Sequence, residues 1–138
     1  IYVVNELNST ISLIESLPAG TPTRKGSVSS LPPGYDEPNT CADIRVSSDG
    51  KFVYASNRGH NSIAVFGIDQ EEGSLKRLGN KGCGGEGPRN FVLSPDEKFI
   101  LVANQHTNNI VSLKRDKNNG LLKYANQVEA PTPVCIQF

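Results

Sequence analysis

The chain has 138 residues, 36% of them hydrophobic, with 13 Gly, 9 Pro and neither Met nor Trp. Lys plus Arg and Asp plus Glu stand at 14 each, so the formal net charge is zero, no basic stripe forms, and a nucleic-acid partner is disfavoured. No apolar run is long enough for a membrane span or a secretion signal, and Cys41, Cys83 and Cys135 have no metal-ligand spacing, so they read as reduced thiols of a cytoplasmic protein.

In chain order, Ile1–Asn5 and Ser9–Ile14 are β-branched runs separated by a polar corner, which predicts two paired strands. Leu17–Thr40 is irregular and rich in Pro and Gly; it is expected to hold a strand near Gly26–Leu31 and a Pro-rich excursion over Pro32–Asn39. Strands then follow at Ala42–Ser47, Lys51–Ser56, Ser62–Ile68 and Ser74–Leu78. A second set is expected at Asn90–Ser94, Lys98–Ala103, Asn109–Arg115 and Leu121–Val128, with Pro133–Phe138 as a single closing strand. The links are Ser-Asp-Gly, Pro-Asp-Glu, Asn-Arg-Gly-His and Asn-Gln-His-Thr, residues that tolerate turn dihedrals or bond their own backbone.

These two sets are copies. Cys41–Leu75 returns as Pro88–Leu122, with Asp49/Asp96, Phe52/Phe99, Asn57/Asn104, Ile63/Ile110, Asp69/Asp116 and Gly73/Gly120 a constant 47 residues apart. A repeat of that period made of short strands is the mark of propeller blades. The fold class is therefore all-β, a β-propeller of four-stranded antiparallel blades, with about three blades' worth of strands in the chain. Residues 1–40 carry the second to fourth strands of a first blade, 41–87 a second blade, 88–132 a third, and 133–138 a lone inner strand. Because the chain opens and closes in mid-blade, it reads as part of a longer protein. Were it complete, two copies are expected to close a six-bladed ring as a homodimer, exchanging Val134–Phe138.

Strand direction alternates within a blade, so each corner between second and third strands shares a face with the connection into the next blade. That face gathers Glu6, Asp43, Asn57-Arg58-Gly59-His60, Arg89-Asn90, Asn104-Gln105-His106 and Pro133–Cys135. The opposite face carries turn chemistry alone: Ser47–Gly50, Asp69–Gly73, Pro95–Glu97 and Asp116–Gly120. One corner position reads Glu6, Arg58 and Gln105 in successive blades, and variation inside a repeated frame points to chemistry grafted on it. Arg58 and Arg89 beside one channel mouth suit a carboxylate or phosphate. Glu6 is a candidate base or simply their ion-pair partner, while His60 and His106 are imidazoles at corner positions offset by one. Asp43, Gln105 and the recurring Asn57 and Asn104 are candidate substrate contacts, with a structural corner bond as the competing role for the asparagines and for Asp43.

The strings YVVNELNSTISL, CADI, SNRGH, GGEGPRNF and PVCIQF, in this order over nearly the whole chain, resemble the carboxy-terminal part of the seven-bladed propeller lactonase family. That family comprises bacterial-type 6-phosphogluconolactonases and fungal carboxy-muconate lactonizing enzymes. The resemblance implies a site with a Glu, a His and arginines at the channel mouth. Motif by motif these are Glu6, Arg58, His60 and Arg89, and a further family His has no counterpart here. It also implies a hydrolase of carbohydrate metabolism acting on a sugar lactone, most simply 6-phosphogluconolactone. Glu6 or His60 would be the general base, with Arg58 or Arg89 stabilising the oxyanion or holding the phosphate, and no metal or cofactor is expected. A carboxy-muconate cycloisomerase and a non-catalytic propeller that binds a ligand or partner at the channel face are the alternatives.

Overall fold

In a computed structural model, which describes residues 1–16 and 20–138, every regular element is a strand. β1 (Tyr2–Asn5), β2 (Thr10–Glu15) and β3 (Thr23–Ser29) form one antiparallel sheet. β4 (Thr40–Val46), β5 (Phe52–Arg58), β6 (Ser62–Ile68) and β7 (Leu75–Gly82) form a second, and β8 (Pro88–Leu93), β9 (Phe99–Asn104), β10 (Asn109–Arg115) and β11 (Leu122–Glu129) a third. Each sheet is a blade whose strands pair in chain order. No helix among the described residues is long and apolar enough to cross a membrane.

Eleven of the twelve expected strands are present in the expected order, most with ends moved by one or two residues and two with ends moved further, and one is lost. β7 runs past Leu78 to Gly82 because Ser62 pairs with Gly82 across the sheet, a backbone register that side-chain patterning does not encode. β3 lies at Thr23–Ser29 and not at Gly26–Leu31, and it is exposed almost throughout, so little hydrophobic signal marks it. Pro133–Phe138 is not a strand: it finds no ladder partner among the described residues, and extended backbone without one forms no sheet. Its backbone is nonetheless held, since the Ile136 N–H donates to Asn90 Oδ1 at 2.7 Å. The expected irregular stretch begins at Leu17, and residues 17–19 lie outside the described residues.

The central blade is buried on both sides, which explains the unbroken apolar run of β5. Phe52 and Tyr54 pack with Phe91, Ile100, Val102, Val111 and Leu113 of the third blade. Val53 and Ala55 point the other way, toward Ile11, Tyr2 and Val4 of the first. Fully burying a side chain such as Phe66 or Phe91 is worth about 1.5–3 kcal/mol.

Polar latches repeat with the blades. Tyr2 donates its hydroxyl to the Gly73 carbonyl at 2.7 Å, and Tyr54, its repeat equivalent, donates to Gly120 at 2.9 Å. Gly120 has φ 76°, and a Cβ there would overlap the Phe52 ring, so only glycine suits this turn. Each corner between second and third strands contains one left-handed non-glycine residue, Ser9, Asn61 or Asn108, with φ of 53°, 51° and 55°. The turns on the opposite face are built as read from sequence: Asp49 Oδ1 accepts from Ser47 Oγ at 2.6 Å, and Asp96 Oδ1 accepts from Ser94 Oγ at 2.7 Å.

Candidate functional site

Three elements from three blades converge on the predicted face. Glu6 follows β1, Arg58 ends β5, and Arg89 lies in β8 at a bulge between the pairs Pro88↔Asn104 and Asn90↔Ala103. β4 is bulged at the equivalent place, where Ala42 and Asp43 sit between Cys41↔Asn57 and Ile44↔Ala55. An extra residue re-aims the side chains around it, which brings Arg89 to the channel mouth. Glu6, Asp43, Arg58, Arg89 and Asn90, with Val4, Cys41, Ala42 and Val134, line one cavity of 400 Å³.

Arg58 is the fixed member. Its Nη2 donates both to Glu6 Oε1 and, at 2.8 Å, to the Cys41 carbonyl, and its side chain is 20% exposed. Glu6 Oε2 and the whole Arg89 guanidinium have no hydrogen-bond partner among the described residues. Asp43 lines the cavity, but its carboxylate is committed. Oδ1 accepts from the Ile44 N–H at 2.8 Å, and Oδ2 accepts from Asn90 Nδ2 at 2.7 Å, Arg45 Nη2 at 3.1 Å and the Phe91 N–H at 3.2 Å. Asp43 therefore ties the second blade to the third, and Asn90 repeats the bond one blade on, to Ile136.

Asn57, read as a candidate substrate contact, takes the structural role instead. It is fully buried; its Nδ2 donates to the Ser30 carbonyl at 3.0 Å, and its Oδ1 accepts from Ser30 Oγ at 2.6 Å. Asn104 is likewise buried, donating to the Cys83 carbonyl at 3.1 Å. Gln105 lies outside the cavity lining, its backbone N–H bonded to the Gly87 carbonyl at 3.0 Å. His60 is also outside the lining. Its ring meets Tyr35 edge-on with centroids 4.7 Å apart, and its Nδ1 lies 2.6 Å from Ser62 Oγ. Ser62 Oγ also accepts from the Asn57 and Asn80 amides at 3.4 Å each, so the His60 ring is tied into the buried polar corner.

Burial pushes the Cys41 thiol up, against the hydrogen bonds of Ser30 and Ser9 and the Arg58 charge, so Cys41 stays protonated at neutral pH and is no nucleophile. Burial likewise takes Cys83 to about 11. All three cysteines are free thiols.

Sequence reading passed over Arg115, a buried cation on the opposite face. Its Nε donates to Tyr54 Oη at 2.7 Å and its Nη1 to Glu97 Oε2 at 3.3 Å, while its guanidinium carbon stands 5.5 Å from the Phe52 ring centroid. One signal was available: Arg115 falls where the preceding copy has Ile68. A second cavity, of 680 Å³, lies between the first two blades, walled by Ile11, Leu13 and Leu75 with the Glu15–Lys25 ion pair at its rim. Its charged groups, Glu15, Lys25, Glu71 and Glu72, include no arginine, whereas the smaller cavity sets two guanidinium groups beside two carboxylates and is the better candidate for chemistry on an anionic substrate.

The family model for the Lactonase, 7-bladed beta-propeller, matches residues 1–138. A protein of Bacillus subtilis named 6-phosphogluconolactonase is 37% identical over 99% of this chain and 40% of its own length. One of the same name from Formosa agariphila is 52% identical over 59% of this chain and 24% of its own length. The solved structure of the Pseudomonas aeruginosa periplasmic gluconolactonase superposes with a TM-score of 0.94 at 27% identity, over 99% of this chain and 38% of that one. The chain thus spans about 40% of the length of the curated relative from Bacillus, and nearly all of the chain is matched. With a family match end to end and the blades, latches and corners of a propeller, this chain belongs to the seven-bladed β-propeller lactonase family.

Proposed function

We propose that the protein is a lactonase-type hydrolase that opens a sugar lactone, with 6-phosphogluconolactone as its substrate and 6-phosphogluconate as its product. The observation that carries this reading is one cavity holding a carboxylate oxygen and a guanidinium, both without hydrogen-bond partners among the described residues: Glu6 Oε2 and Arg89. Arg58, pinned by the Cys41 carbonyl, orients the Glu6 carboxylate through Oε1. Oε2 then accepts a proton from water as it attacks the lactone carbonyl, and Arg89 stabilises the oxyanion that develops. When the ring C–O bond breaks, protonated Glu6 returns the proton to the leaving alkoxide. Glu6 is favoured over His60 as base because His60 is engaged by Ser62 away from the cavity. A positioned base contributes about 10² to 10⁴ in rate. Three thiols, two of them buried, also support a reducing compartment, the cytoplasm.

Turnover of 6-phosphogluconolactone by the full-length protein, corrected for spontaneous hydrolysis, tests the reading. Glu6→Gln keeps the shape and loses the proton acceptor, so turnover should fall about 100-fold or more while product affinity changes little. Wild-type turnover in that variant would reduce Glu6 to an ion-pair partner. Absence of turnover in the wild type would remove the assignment.

A further inference from the structure

A smaller cavity of 290 Å³ shares the Arg58 side chain with the first and is lined also by Asn61, Glu86, Gly87 and His106. Arg58 Nε is buried and has no hydrogen-bond partner among the described residues. The Glu86 carboxylate and the His106 ring make no side-chain hydrogen bond or ion pair among the described residues, and both are exposed.

The frame is held by backbone. The His106 N–H donates to the Glu86 carbonyl at 3.1 Å and the Gly87 N–H to Asn61 Oδ1 at 3.0 Å. Gly87, at φ 68°, leaves room for the His106 ring: a Cβ there would stand 2.9 Å from its Nδ1. The repeat shows what this opening is. Glu86 stands where Asn39 stands one blade earlier, and Asn39 fills that earlier junction, donating to Ser9 Oγ at 2.8 Å and accepting from the His60 N–H at 3.0 Å. The same place between the second and third blades is left open.

We infer that this opening is a subsite for the hydroxyl-bearing carbon chain of the substrate, with Glu86 and His106 as specificity-determining residues; the inference rests on the lactonase reading. Charge selects the ligand class. Carboxylates stand in both cavities that Arg58 lines, Glu6 in the larger and Glu86 in the smaller, so a second anionic group gains nothing there, whereas a hydroxyl donates to the Glu86 carboxylate and pairs with the His106 ring. The volume holds several water-sized groups at about 30 Å³ each, enough for two or three hydroxylated carbons.

Two probes of equal charge separate the outcomes: 6-phosphogluconate, and 6-phosphohexanoate, which keeps phosphate and carboxylate and lacks the hydroxyls. Calorimetry on the full-length protein should show the first binding more tightly. Glu86→Ala and His106→Ala should each weaken 6-phosphogluconate about fivefold to tenfold and leave 6-phosphohexanoate unchanged, and Glu86→Gln should keep part of the affinity. Both side chains are exposed, so thermal melts should match the wild type. If the wild type binds both probes equally, or neither alanine variant weakens 6-phosphogluconate, the subsite is overturned and the lactonase reading stands. If the wild type binds neither probe, the lactonase reading itself falls, and the subsite with it.

Discussion

Arg115→Met tests the polar seam between the second and third blades. Methionine keeps an apolar stem of similar reach and removes the guanidinium. The change loses a charge-assisted bond to the buried Tyr54 hydroxyl, 2.7 Å long, worth about 1.5–3 kcal/mol. It also loses cation–π contact with the Phe52 and Tyr54 rings, 5.5 and 5.8 Å away, at about 0.5–1 kcal/mol each. Against this, Arg115 Nη2 is buried without a hydrogen bond among the described residues, and its removal returns about 1–3 kcal/mol. The abandoned Glu97 carboxylate retains 17% exposure and can recruit water, so its cost stays below that of a fully buried orphan. The net expectation is a destabilisation of about 2 kcal/mol, read as a lower urea midpoint at unchanged slope. A cycle with Tyr54→Phe should give a coupling of about 1 kcal/mol or more. A neutral or stabilised Arg115→Met, or zero coupling to Tyr54, would refute the reasoning and make Arg115 a buried charge that an apolar side chain replaces at no loss.

Asn57→Ala should cost about 2–3 kcal/mol in unfolding, because Ser30 and Cys41 lose a buried partner; intact stability with lost ligand affinity would restore Asn57 as a binding residue. Arg89→Ala should weaken 6-phosphogluconate binding by about 1.5–3 kcal/mol with unchanged stability, and calorimetry showing equal affinity would take Arg89 out of the site. Ser94 Oγ, with the Lys98 N–H, holds Asp96 at about 2, below its ordinary 3.8. The folded value is the lower one, so this contribution is complete above about pH 4 and fades as the pH falls toward 2. Ser94→Ala should move the Asp96 carboxyl titration upward by NMR; an unmoved titration would show that Ser94 is not the cause.

The 47-residue repeat, the strand order and the face on which Glu6, Arg58 and Arg89 meet are legible in the residues alone. These follow from period-two side-chain alternation and from turn residues that bond within a few positions, as Ser47 and Asp49 do. The extended pattern of Pro133–Phe138 was equally legible, but whether it becomes a strand depends on a ladder that local sequence does not supply. Which polar groups remain available emerges only once the blades are packed together. Asn57 is consumed by Ser30, 27 residues earlier, Asp43 by Asn90 and Phe91, 47 and 48 residues later, and Arg115 by Tyr54, 61 residues earlier. His60 is drawn off by Ser62 although it belongs to the most suggestive motif in the chain. A polar side chain is free for chemistry only when folding leaves it unpaired, and that depends on neighbours brought by other blades, which spacing along one blade does not specify.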